Sequence, residues 1–179
     1  LIGGALAAVL LGPATGLLVV TVVVVVQALL FADGGLTALG YNVLNMAVVT
    51  ALGGWAVFRG VRRLAPPTRV GIGAAAGVAA FASVVLSSMA FSIEWLFGAS
   101  APVPFDRVFG AMVGVHTLIG IGEGIITGLT VSAVLAARPD LVAGADIDGW
   151  RDAFRIIQGF EIQSTLLKQG AYLRTEPSA

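Results

Sequence analysis

Between residues 14 and 31 the sequence offers one strongly polar side chain, Gln27, in a run dominated by valine. In water, β-branched density of this kind would point to a strand. In hydrocarbon a lone open strand leaves its backbone N–H and C=O groups unpaired, whereas a helix pairs them internally, so the run reads as a membrane-crossing helix. Three further apolar stretches follow at 38–58, 70–97 and 108–137, each reaching the roughly 20 residues that a crossing requires. The composition agrees: 58% of the 179 residues are hydrophobic and 11% charged, against about 25% charged in an ordinary soluble domain. A chain of this length cannot enclose so much apolar side chain in one core. The fold class expected is therefore all-α, a polytopic transmembrane helical bundle with four full spans. Residues 1–12 add a partial first helix, too short to cross, ended by Gly12 and Pro13 and read as the end of a helix that begins upstream.

Arg59, Arg62, Arg63 and Arg69 crowd one short loop, punctuated by Pro66 and Pro67, and no other interhelical loop holds more than one basic residue. By the positive-inside rule the loop 59–69 is cytoplasmic. Alternation then places Leu1, Asp33, the Glu94–Trp95 end of the third full span and the Pro-bearing loop 101–107 outside. Arg138 and Pro139 fall inside. A transmembrane domain over 1–139 gives way to a polar cytoplasmic tail over 140–179. There Trp150, Ala153, Phe154 and Ile157 recur at helical spacing after Asp148, a candidate cap. This short amphipathic C-terminal helix suits either the membrane surface or another subunit.

Ten basic residues balance ten acidic ones, and no basic run is dense enough to neutralise a series of phosphates, so nucleic acid is not an expected partner. Cysteine is absent, which removes disulfides and thiolate metal sites together. The sole lysine, Lys168, follows Leu166 and Leu167 rather than a Gly-rich turn, so the chain has no P-loop and no ATPase motif of its own. Gly120, Gly122 and Gly124 do not make a dinucleotide fingerprint, since no strand precedes them.

Ionisable groups inside a bilayer are costly and invite a functional question. His116, the only histidine, and Glu123 lie seven residues apart on nearly one face of the last span, with Thr127 continuing the line and Gly120 between them. They either line a cation path or hold a metal, imidazole and carboxylate both being suitable ligands, or each makes a packing hydrogen bond to a neighbouring helix. One helix separates them by about 10 Å of rise, too far to share an ion without distortion. Asn42 and Asn45 share a face near the outer end of their span and are candidates for support of a ligand set or for interhelical bonds. Asp33 stands in a turn with Gly34 and Gly35. Gly73 with Gly77, Gly110 with Gly114, and Gly120 with Gly124 and Gly128 are spaced for close helix approach.

Four strings carry a resemblance. Leu1-Ile2-Gly3-Gly4 through Leu11-Gly12-Pro13 is one, and Gln27-Ala28-Leu29-Leu30-Phe31-Ala32-Asp33-Gly34-Gly35-Leu36-Thr37-Ala38-Leu39-Gly40 is the most specific. Asn42-Val43-Leu44-Asn45-Met46 follows, and Met112-Val113-Gly114-Val115-His116-Thr117-Leu118-Ile119-Gly120-Ile121-Gly122-Glu123-Gly124-Ile125-Ile126-Thr127 completes the set. Together they resemble the CbiM/NikM family, the substrate-binding membrane subunits of energy-coupling factor transporters for cobalt and nickel, over residues 1 to about 139. The resemblance implies capture of Co²⁺ or Ni²⁺ outside and delivery inward, with no permanently bound cofactor. It implies work alongside a transmembrane coupling subunit and paired cytoplasmic ATP-binding subunits, to which a small accessory membrane subunit could be added. It also implies a location in the plasma (inner) membrane of a bacterium or archaeon. Family members are similar in placing metal ligands in a Met-His start and on a His immediately before the Leu-x-Gly-Gly string. The principal ligands are accordingly expected upstream of Leu1. Two other readings compete: a structural or assembly membrane protein with the same spans and no ligand, and an intramembrane metallo-enzyme using Glu123 as base and His116 as ligand. The enzyme would need further ligands from other spans.

Overall fold

The computed structural model describes residues 2–31 and 35–148, all helix, turn or coil with no strand among them. The chain divides into two compact units, Leu1–Gly144 and Ala145–Ala179. The first unit contains α1 (Gly4–Leu11), α2 (Pro13–Leu30), α3 (Leu39–Asn42), a π-helical segment (Val43–Gly53), α4 (Gly54–Arg62), α5 (Arg69–Gly98) and α6 (Phe105–Ala137). Short 3₁₀ turns follow at Pro139–Leu141 and Ala143–Asp148. Asp33 and the amphipathic helix expected from Trp150 to Ile157 lie outside the described residues.

Four helical stretches are long and apolar enough to cross a membrane: Pro13–Leu30, Leu39–Arg62, Arg69–Gly98 and Phe105–Ala137. The valine run is helical throughout. Its outward residues Leu18, Val22, Val23 and Leu29 are exposed, as are Leu118, Ile125 and Leu129 of α6. Apolar faces of this extent need lipid rather than water against them. Polar side chains turn the other way. Ser83, Ser87, Ser88 and Ser92 of α5 are buried; three of them donate to carbonyls of their own helix, and only Ser87 reaches across, to the Asn45 carbonyl 2.9 Å away.

At the centre is α1. Its eight residues rise about 12 Å, and Ala5, Ala8 and Val9 are wholly buried. It packs against α2, the π-helical segment, α4, α5 and α6. Small residues let it in: Gly54 backs onto Ala5, Gly16 onto the Ala7–Ala8 backbone, and Gly4 onto Thr50 and Ala51. The end of this packing toward Arg62 and the arginine loop is closed by Val9, Phe58 and Gly144. Because α1 covers only half the bundle from that end, Ile2 comes to rest at mid-depth. The alternation of spans had put the start of the chain at the opposite surface, so this position is a correction; its cause is a helix of eight residues beginning behind a left-handed Gly3, φ 75°.

The arginine loop is closed by its own side chains. Arg62 is buried and donates to the carbonyls of Ala65 and Pro66, while the Thr68 hydroxyl accepts the Gly71 N–H and caps α5.

The α5–α6 contact is the most extensive in the bundle, and glycines set its closeness. A methyl on Gly77 would stand 2.8 Å from the Gly124 carbonyl oxygen, one on Gly124 would stand 2.8 Å from the Gly77 oxygen, and Gly73 and Gly128 face each other similarly. Gly120 packs on Phe81. Gly110 and Gly114, grouped with these by spacing, meet nothing within 4 Å; α6 at that level has no neighbour close enough to need a glycine. Gly77→Ala and Gly124→Ala should therefore each destabilise the bundle by about 1–3 kcal/mol through overpacking. Gly114→Ala should be neutral or slightly stabilising, since alanine is the better helix former. Unfolding of the three variants in one lipid or detergent system measures the contrast.

Candidate functional site

Glu123 lies near the middle of α6, which would be an expensive place for a carboxylate without partners. It is 2% exposed. Its Oε1 accepts the Gly3 N–H at 2.7 Å and its Oε2 accepts the Ile2 N–H at 2.9 Å. These are the N–H groups just ahead of α1, left without helical carbonyls, and a carboxylate there also suits the positive end of the helix dipole. Two charge-assisted bonds from one side chain fix both position and direction of the backbone. Gly120, Glu123, Thr127, Val131 and Leu135 form the buried stripe of α6, and Thr127 lies one turn toward the arginine end with its hydroxyl oxygen lacking a hydrogen-bond partner among the described residues.

His116 does not join this arrangement. It is half-buried two turns away, and its Nδ1 is 2.8 Å from the Met112 carbonyl of its own helix. A carbonyl can only accept, so this contact places the proton on Nδ1 and leaves Nε2 as the acceptor or ligand atom of the neutral ring. No group of three or more His, Asp or Glu side chains that could hold a metal occurs among the described residues.

Asn42 and Asn45 lie elsewhere, at the end of the bundle remote from the arginine loop. Asn45 donates from Nδ2 to Glu94 Oε2 at 2.7 Å, and with Asn42, Tyr41, Phe91 and Trp95 the pair lines a cavity of about 340 Å³. Sequence reasoning located Glu94 only as a residue near an interface. The available signal was a single carboxylate three residues before the end of the otherwise uncharged apolar stretch 70–97. Missing from the sequence was its partner, 49 positions away. The backbone partners of Glu123 were equally invisible, since every residue type presents an N–H.

Comparison with known proteins places this geometry. The family described as "Cobalt uptake substrate-specific transmembrane region" matches residues 1–141. A putative fused nickel transport protein of Archaeoglobus fulgidus is 40% identical over 141 residues, covering 79% of this chain and 46% of the relative. A putative metal transport protein of Haloquadratum walsbyi is also 40% identical over 141 residues, covering 79% and 62%. The cobalt transport protein CbiM of Geobacter sulfurreducens is 36% identical over 149 residues, covering 79% and 41%. The chain thus spans roughly half the length of these relatives. A crystal structure of a transition metal transporter superposes with a TM-score of 0.63 at 29% identity, over 75% of this chain and 63% of that one.

The pair of hydrogen bonds that Glu123 accepts can be tested directly. Glu123→Ala leaves two N–H groups without their acceptor, at a cost of about 1.5–3 kcal/mol for each hydrogen bond to a charged group. Hydrogen exchange at the amides of Ile2 and Gly3 should accelerate about ten- to a hundredfold, while amides in the middle of α2 keep their rates. Equal rates at residues 2 and 3 in both proteins would remove Glu123 as their anchor.

Proposed function

The chain belongs to the family of cobalt uptake substrate-specific transmembrane regions, and from that premise we propose that it forms the substrate-capture part of an ATP-driven energy-coupling factor transporter importing Co²⁺ or Ni²⁺. The observation that carries the reading into mechanism is the Glu123 carboxylate on the Ile2 and Gly3 amides. The resemblance expects a ligating histidine next to Leu1. Such a ligand would ride on the backbone that Glu123 holds, at mid-depth in the bundle and shielded from lipid. Glu123 then acts as a positioning residue, supporting the ligand set without touching the ion. Nitrogen ligands suit both cobalt and nickel, so the choice between them lies in geometry rather than donor type.

Direction follows from the four arginines gathered at one end. Held at the cytoplasmic face by the positive-inside rule, they put the cavity-bearing end outside, where metal arrives, and leave the loop 59–69 inside, where a coupling subunit and ATP-binding subunits would dock. Relatives named as transport proteins favour this reading over an intramembrane metallo-enzyme. A purely structural role would leave the buried carboxylate with packing as its only purpose.

In cells making the full-length protein with its partner subunits, Glu123→Ala should lower Co²⁺ or Ni²⁺ accumulation about ten- to a hundredfold, the usual cost of losing a group that supports ligands. Glu123→Gln, which keeps an acceptor, should cost less. Accumulation that is unchanged in Glu123→Ala removes the positioning role, and wild-type cells that accumulate neither metal remove the transporter. Residues 1–179 contain no cysteine, so once any cysteine elsewhere in the full-length protein is replaced by serine, single replacements at Arg63 and Ser100 report topology cleanly. An impermeant maleimide added outside should label Ser100→Cys and not Arg63→Cys; the reverse pattern would invert the direction of flow.

A further inference from the structure

The cavity between the π-helical segment and the end of α5 is flanked by two polar atoms that no described residue satisfies. Asn45 is 7% exposed. Its Nδ2 is spent on Glu94 Oε2, while its Oδ1 and Glu94 Oε1 are both buried and have no hydrogen-bond partner among the described residues. Exchanging O and N of the Asn45 amide does not repair this, because Glu94 would then face an acceptor. A buried acceptor left unpaired costs about 1–3 kcal/mol, more if it carries charge, and here two such oxygens belong to one hydrogen-bonded pair. Among the described residues no Lys, Arg or His lines the cavity, so none of them sets a counter-charge on its walls. Two hard oxygens, one of them from a carboxyl group, with a cavity of about 340 Å³ beside them, are what a hydrated divalent cation requires: ligands for one or two positions and room for the waters it keeps.

We propose that Glu94 Oε1 and Asn45 Oδ1 form a second cation site, which takes a partly hydrated divalent ion at the end of the bundle remote from the arginine loop. Oxygen donors do not select cobalt or nickel over magnesium or manganese. The site is therefore a weak, unselective holding point, distinct from the region around Glu123. That it serves as the outer vestibule for imported metal rests on the transporter reading; that it binds a cation does not.

Mn²⁺ is the probe, because its electron paramagnetic resonance reports binding and its nuclear couplings count bound waters. The full-length protein in phosphatidylcholine nanodiscs should bind Mn²⁺ at this site with fewer than six waters on the ion. Glu94→Gln should weaken that binding at least tenfold, and Asn45→Leu should weaken it less. Asp106→Asn, an exposed acidic position at the start of α6, should leave it unchanged. Binding that survives Glu94→Gln, that falls equally in Asp106→Asn, or that retains all six waters on the ion would overturn the site. Should Glu94→Gln fail to fold, Glu94→Asp replaces it: the withdrawn carboxylate should still weaken Mn²⁺ severalfold, and undiminished binding would be equally fatal. Cells without cobalt or nickel uptake would end the transporter reading and leave this titration as it stands.

Discussion

A carboxylate halfway along a 33-residue helix would be a liability in hydrocarbon were it not turned onto the first amides of another helix. Glu123 gives the N–H groups of Ile2 and Gly3 the acceptors that helix geometry denies them, and those amides shield the charge from lipid. The rest of the bundle is arranged around that join. Because α1 is short and meets its neighbours largely through glycine and alanine, α2, the π-helical segment, α4, α5 and α6 can all close on it, and what they close on is held at one end by a single side chain. Packing and positioning here are one arrangement: the residue that makes a buried short helix tolerable also fixes the backbone beside which a metal ligand is expected.

Much of this could be read from the residues. The spans follow from the need to satisfy backbone groups without water, which makes even the valine run of α2 helical. Gly120, Glu123 and Thr127 lie on the inward stripe of α6 as their helical spacing suggested, while His116, seven residues before Glu123, does not; of the glycines put forward for close approach, Gly73, Gly77, Gly120, Gly124 and Gly128 stand where a side chain would meet the neighbouring helix. Gly110 and Gly114 have the same spacing and no neighbour, because a repeat of small residues says that a helix can approach and not that one does. The π-helical turns of Val43–Gly53 left no mark, since their apolar pattern fits an ordinary helix equally well. The mid-depth position of Ile2 depends on where α1 begins, which hangs on the left-handed turn at Gly3. His116 drew attention as the only histidine, yet its nearest bond is to its own helix. Glu94 drew little, though its carboxylate meets Asn45 across the bundle. Long-range polar partners are set by packing, and packing is the part of a membrane fold that composition constrains least.

Buried polar groups divide by what they do for the fold. Ser83, Ser88 and Ser92 return their hydroxyls to α5 itself, a local solution that keeps a polar residue inside without committing it to a partner. Ser87 and Asn45 cross between elements and tie the widened π-helical turns to α5. Thr127, one turn from Glu123, and the free oxygens of Asn45 and Glu94 do neither.

The helices α5 and α6, with 30 and 33 residues, extend about 45 and 50 Å, well beyond a hydrocarbon core of about 30 Å. Their surplus must be taken up by tilt or by emergence into the headgroup layer, and Glu94 sits within the last turn or two of α5. Membrane thickness therefore becomes a variable for this protein. In a thin bilayer the Asn45–Glu94 rim stands among headgroups and water; in a thick, sterol-rich one the same rim is drawn toward the acyl chains, and hydrophobic mismatch alone would change how much water reaches it.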